Sequence, residues 1–171
     1  RVTCNLFGGW PTTPAAGKCD RLLDLLRFLC SAEPNAEALY QWVLRWIGLP
    51  IQHPGAKMKT TLVLHGGQGA GKNLFSNEIM PVVLEEDDRR HCVIHTPPKL
   101  EKEYYDAVLK EIAEGGVEAL HDHLLGLDLG DFGPSSLPPL TVAKVELIDL
   151  AKDSPERFFD ALVAKEIRGL E

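Results

Sequence analysis

Leu62-Val63-Leu64-His65-Gly66-Gly67-Gln68-Gly69-Ala70-Gly71-Lys72-Asn73 is an apolar run, a glycine-rich turn ending in Gly-Lys, and residues that suit a helix start. It fits G-x-x-x-x-G-K in the setting a phosphate-binding loop requires, with a strand before and a helix after. Glycines let the backbone curl so that successive N–H groups point at one anion. A helix opening near Gly71 adds unpaired N–H groups and the positive end of its dipole. Gly66, Gly67, Gln68, Gly69, Ala70, Gly71, Lys72 and Asn73 are therefore the candidate nucleotide cradle, with Lys72 reaching the β- and γ-phosphates. A glycine-rich turn that binds nothing is the plainer alternative, and the agreement of motif and context weighs against it. The motif normally continues with Ser or Thr, whose hydroxyl binds Mg²⁺; here Asn73 follows Lys72. An amide oxygen is also a hard oxygen ligand, so the expected cofactors are ATP and Mg²⁺, with Asn73 as the candidate metal ligand.

Working outward, the 171 residues suffice for one domain of ordinary size with a real core. Cys4, Cys19, Cys30 and Cys92 are scattered with no C-x-x-C pair, which argues against a zinc site or disulfide framework and for a reducing cytoplasm. No apolar run approaches the ~20 residues of a membrane span, and no signal-peptide pattern is present. The chain opens on Arg1 without an initiator Met and reads as starting at a cut edge. The formal net charge of −7 gives nucleic-acid binding no help. The basic pairs Lys57/Lys59 and Arg89/Arg90 suit a solvated surface better than a phosphate backbone.

Before the loop, residues 18–32 read as a helix, because Cys19, Leu22, Leu23, Leu26 and Cys30 form one apolar stripe. A second helix runs from Ala36 to Ile47, with Trp42 and Trp46 inward, and Gly48 and Pro50 end it. Tryptophans on such a stripe are core far more often than base-stacking platforms. Residues 60–65 form the strand that feeds the loop, and 71–80 the helix after it.

Beyond the loop, Val82 to Glu86 superficially matches a Walker B strand, apolar residues followed by paired acids. Pro81 and the acidic run Glu85 to Asp88 suit a solvated turn better. His91 to His95 reads as a strand. The remainder reads as helical: a helix to about Glu114, a break at Gly115-Gly116, a helix through Leu125, a loop over 126–139 and a helix from Thr141 to Leu150. Ser154-Pro155-Glu156 then opens a last one. His121-Asp122-His123 invites a metal site, but residues two apart on a helix point in different directions.

Asn5-Leu6-Phe7-Gly8-Gly9-Trp10, the Leu-rich helix, the Tyr40-to-Ile47 helix, Gln52-His53-Pro54-Gly55 and the phosphate loop together resemble the helicase-like domain of phage and prophage primase-helicases and primase-polymerases. Those are superfamily 3-type ATPases on an AAA+-like core. Asp87-Asp88-Arg89-Arg90 before an apolar strand resembles the family's D-D-R-R-F segment, with His91 in place of the aromatic. Leu127 to Phe132, the Pro138-Pro139 loop with Thr141, and Asp153 to Glu156 resemble its C-terminal helical tail. The resemblance implies ATP-driven unwinding of single-stranded or forked DNA by a homo-oligomeric ring in a bacterial or phage-infected host cytoplasm. It gives Lys72 a catalytic role and makes Arg89 or Arg90 the arginine finger that reaches a neighbour's γ-phosphate.

One departure stands out. The family places its Walker B strand, sensor strand and DNA-contacting hairpin between the phosphate-loop helix and D-D-R-R, whereas here only residues 73–86 lie there. Parallel strands need crossovers of a dozen residues or more. Either an internal deletion has occurred, or a segment is missing from the sequence. The expected fold class is α/β, mostly α by residue count: an N-terminal helical region over 1–58, a truncated P-loop core over 59–95 and a C-terminal helical region over 96–171. The rival to a helicase ATPase is a nucleotide-binding remnant or interaction module without hydrolysis. A small phosphate-loop kinase or transferase is a third reading, against which stand the lack of a lid arginine cluster and of a clear second acidic strand.

Overall fold

A computed structural model describes residues 9–76 and 91–151. Helix α1 spans Asp20–Cys30 and α2 spans Ala36–Gln52. Strand β1 covers Thr61–His65, and α3 opens at Lys72–Leu74. Strand β2 is His91–His95, followed by α4 (Lys102–Glu111), α5 (Val117–Leu125) and α6 (Val142–Ala151). The chain is thus mostly helical, with one two-stranded parallel sheet in which Thr61 pairs with His91 and His65 with His95.

The period-2 pattern of the strands sorts their side chains. Leu62, Leu64, Cys92 and Ile94 turn to the core, where they meet α1, α2, α4 and α5. Trp46, Leu25, Leu29, Leu39, Ile47 and Val108 are almost fully buried there. Both tryptophans of α2 are core, as their stripe predicts, and Trp46 Nε1 donates to the Thr60 carbonyl at 3.0 Å, tying α2 to the start of β1. One hydrophobic cluster runs through all three sequence regions.

The expected end of α2 needs correction. The helix does not stop at Gly48 and Pro50 but continues to Gln52. Gly48 is there for packing: a Cβ on it would stand 3.2 Å from a Leu127 methyl. Burial of Leu49, Pro50 and Ile51 offsets the hydrogen bond that Pro50 cannot make. Gln52 Nε2 then donates to the Leu124 and Leu127 carbonyls, both at 2.7 Å, and so closes the C-terminal end of α5.

Two helix starts are capped from far away in the sequence. The Glu111 carboxylate of α4 accepts the Arg21 and Leu22 N–H groups of α1, each at 3.0 Å. Buried Glu33 accepts Val142 N–H at 2.7 Å, His95 N–H at 3.1 Å and Ala143 N–H at 3.5 Å. Thr141 completes the start of α6: its Oγ1 accepts Lys144 N–H at 3.2 Å and donates to the Val93 carbonyl. The outer edge of β2 is thereby closed by Glu33 and Thr141, which removes an exposed strand edge. As expected, the backbone breaks at Gly115, with φ +92° between α4 and α5. No helix among the described residues is long and apolar enough to cross a membrane.

Candidate functional site

Because β1 and β2 are parallel, the loop leaving β1 and the chain leaving β2 emerge at the same end of the sheet. In open parallel sheets that carboxyl end is where ligands bind. Thr96, the first residue past β2, donates to the His65 carbonyl through its N–H at 2.7 Å and its hydroxyl at 3.1 Å. This seats residues 96–99 directly against the loop.

Three of the loop's glycines are required by its curl. Gly66, Gly69 and Gly71 have φ of +150°, +84° and +87°. A Cβ on Gly66 would collide with the Thr96 hydroxyl and stand 2.9 Å from its carbonyl oxygen. A Cβ on Gly71 would stand 2.9 Å from a Leu25 methyl and 3.1 Å from the Tyr105 ring. Between them Ala70 is 1% exposed and anchors the loop to the core. The Lys72 ammonium turns back across the mouth and donates to the Gly66 carbonyl at 3.0 Å and the Gly67 carbonyl at 2.6 Å.

A cleft of about 660 Å³ opens beside the loop. Gln68, Gly69, Gly71, Lys72, Asn73 and Leu74 line it from the loop and α3, and Tyr105 and Leu109 from α4. Its volume lies in the ordinary range for small-molecule sites. Among these lining residues Lys72 alone is charged, so the cleft favours an anion. Glycine cradle, lysine and volume together fit a nucleoside polyphosphate. Asn73 lies exposed beside Lys72 and offers Mg²⁺ one oxygen; no carboxylate lines the cleft among the described residues.

Of residues 66–73, Gln68, Gly69, Gly71, Lys72 and Asn73 line the cleft, Gly66 and Gly67 turn their carbonyls to Lys72, and Ala70 is buried. Arg89, Arg90 and the acidic run Glu85 to Asp88 lie outside the described residues. The sequence does not announce the far wall: Tyr105 and Leu109 read as part of a helix stripe, Thr96 with Pro97 and Pro98 reads as a helix boundary, and Lys99 carries no signal. Tyr105 earns its fixed position by accepting Leu100 N–H on its hydroxyl at 3.1 Å.

A shallower groove of about 370 Å³ lies on the opposite face of the sheet, floored by Val63 and Val93. There the His65 and His95 rings meet edge to face at 5.1 Å, and His95 Nε2 contacts Glu146 Oε2 at 3.0 Å. His121 is buried and bonded to Thr12 Oγ1 at 2.9 Å, while Asp122 and His123 face solvent. No group of three metal-ligating side chains occurs among the described residues. Compared with models of known families, with characterised proteins and with solved structures, the chain finds no match.

Proposed function

We propose that the chain binds ATP with Mg²⁺ through Gly66 to Asn73, as the ATP-binding domain of a phage-type replicative DNA helicase or primase-helicase. The observation that carries the nucleotide reading is Lys72, whose ammonium rests on two carbonyls of its own glycine loop at the mouth of the cleft. An entering polyphosphate replaces those neutral acceptors with charged oxygens, and charge-assisted hydrogen bonds are roughly twice as strong as neutral ones. Loop N–H groups hold the phosphates in place, and Tyr105 and Leu109 shield one flank from water. Mg²⁺, when bound, would neutralise negative charge on the phosphates, and Asn73 would supply an oxygen ligand to it. The helicase assignment, with DNA as partner, a ring of copies and Arg89 or Arg90 as arginine finger, rests on the sequence resemblance.

A second reading, nucleotide binding without hydrolysis, is favoured by the short interval, residues 73–86, between Lys72 and Asp87-Asp88-Arg89-Arg90. Binding of ATP and ADP by calorimetry, with wild type beside Lys72→Ala, tests the site. The expected result is a loss of at least about tenfold in affinity; equal affinities overturn the assignment. Steady-state hydrolysis with and without single-stranded DNA separates the two readings. Lys72-dependent turnover supports the helicase ATPase, and binding without turnover supports the non-catalytic module.

A further inference from the structure

We propose that Lys99 is a second phosphate-binding cation of the Gly66-to-Asn73 loop; this rests on the nucleotide reading of that loop. The twin bonds from Thr96 to the His65 carbonyl pin the chain to the base of the loop. Pro97 and Pro98 follow, and their fixed φ makes the next step stiff. Lys99 is thus delivered across the loop at Gly69: its Cδ and Cβ lie 3.3 and 3.6 Å from the point a Cβ on Gly69 would occupy. The absence of that Cβ lets the lysine stem lie on the loop backbone. The ammonium sits two bonds beyond Cδ, within reach of an anion held by the N–H groups around Gly69.

Among the described residues its charge is also uncommitted. Lys102 is paired with Asp106 at 2.7 Å and Lys110 with Glu114 at 3.8 Å. Lys99 is exposed and has no ion pair among the described residues. Two cations from different segments, Lys72 in front and Lys99 across the loop, suit a ligand with several adjacent negative charges. The ligand class is a polyphosphate: a nucleoside triphosphate first, a diphosphate next, a monophosphate least.

The test measures dissociation constants for ATP, ADP and inorganic tripolyphosphate with wild type, Lys99→Met, Lys99→Arg and Lys102→Met. Met keeps an apolar stem against Gly69 and removes the charge, so a purely structural role of the stem leaves affinity unchanged. The expected result is a roughly fivefold to tenfold loss for ATP and tripolyphosphate in Lys99→Met, a smaller loss for ADP, and a weaker dependence on salt. Lys99→Arg restores binding and Lys102→Met matches wild type. Thermal melting of Lys99→Met at the wild-type temperature accompanies this result. Wild-type affinity in Lys99→Met, or an equal loss in Lys102→Met, overturns the role of Lys99 and leaves the nucleotide site standing. Failure of wild type to bind any of the three ligands overturns the nucleotide reading itself.

Discussion

Gly66 and Gly67 are adjacent and chemically identical, yet the structure asks different things of them. Gly66 holds φ +150° with Thr96 against it, whereas Gly67 has no positive φ and nothing within 4 Å of an added Cβ. Gly66→Ala is expected to destabilise the fold by about 1–3 kcal/mol and to weaken nucleotide binding. Gly67→Ala should stay within about 0.5 kcal/mol of wild type. Urea denaturation of the two variants checks this; equal midpoints would show that the Thr96 contact does not constrain the loop. The motif fixes glycine at position 66 and leaves position 67 open. The steric reason at Gly66 is a residue 30 positions away, Thr96, brought there by the parallel pairing of β1 and β2.

The helices were legible where burial alone decides them. The stripe of Cys19, Leu22, Leu23, Leu26 and Cys30 places α1, although Leu23 is only half-buried and Leu25 and Leu29 join the buried face; Leu39, Trp42, Val43 and Trp46 place α2. Their ends were less so, because the groups that close them come from elsewhere. Glu33 is 3% exposed and its charge is held by three backbone N–H groups from β2 and α6. Truncation by Glu33→Ala leaves those donors buried without a partner and should cost about 2–3 kcal/mol. Glu33→Gln keeps one acceptor oxygen and should cost less. Chemical denaturation gives both values, and hydrogen exchange at Val142 and Ala143 should rise in the alanine variant first. A neutral Glu33→Ala would mean that water caps α6 equally well.

A two-stranded sheet is marginal by itself, and here it survives because one cluster joins it to four helices. Cys30 of α1 and Cys92 of β2 belong to that cluster, 1% exposed each. Burial pushes both thiols up from 9.0 to about 12. Below pH 9.0 both states keep their protons and the contribution to stability is fully present. As pH rises from there towards 12, the unfolded chain releases protons that the folded chain retains, so stability falls. Urea midpoints should therefore drop as pH rises above 9.0 towards about 12, and the drop should shrink in Cys30→Ala/Cys92→Ala. An unchanged slope in the double variant would assign the alkaline loss to other groups. Cys19, Cys30 and Cys92 are free thiols.

By itself the sequence determined the local matters: a mixed α/β chain rich in helix, the two strands, the helices α1 and α2 with the core tryptophans of α2, and a glycine-rich loop with Lys72 at its end. These follow from periodicity and glycine chemistry, which act over a few residues. Tertiary structure alone decided that α2 runs on through Pro50, that Glu33 and Glu111 close the starts of distant helices, and that Tyr105, Leu109 and Lys99 flank the loop. The reason is range. A buried hydrogen bond or a cleft wall joins residues up to 110 positions apart, as Glu33 and Ala143 are, and no pattern along the chain encodes that meeting.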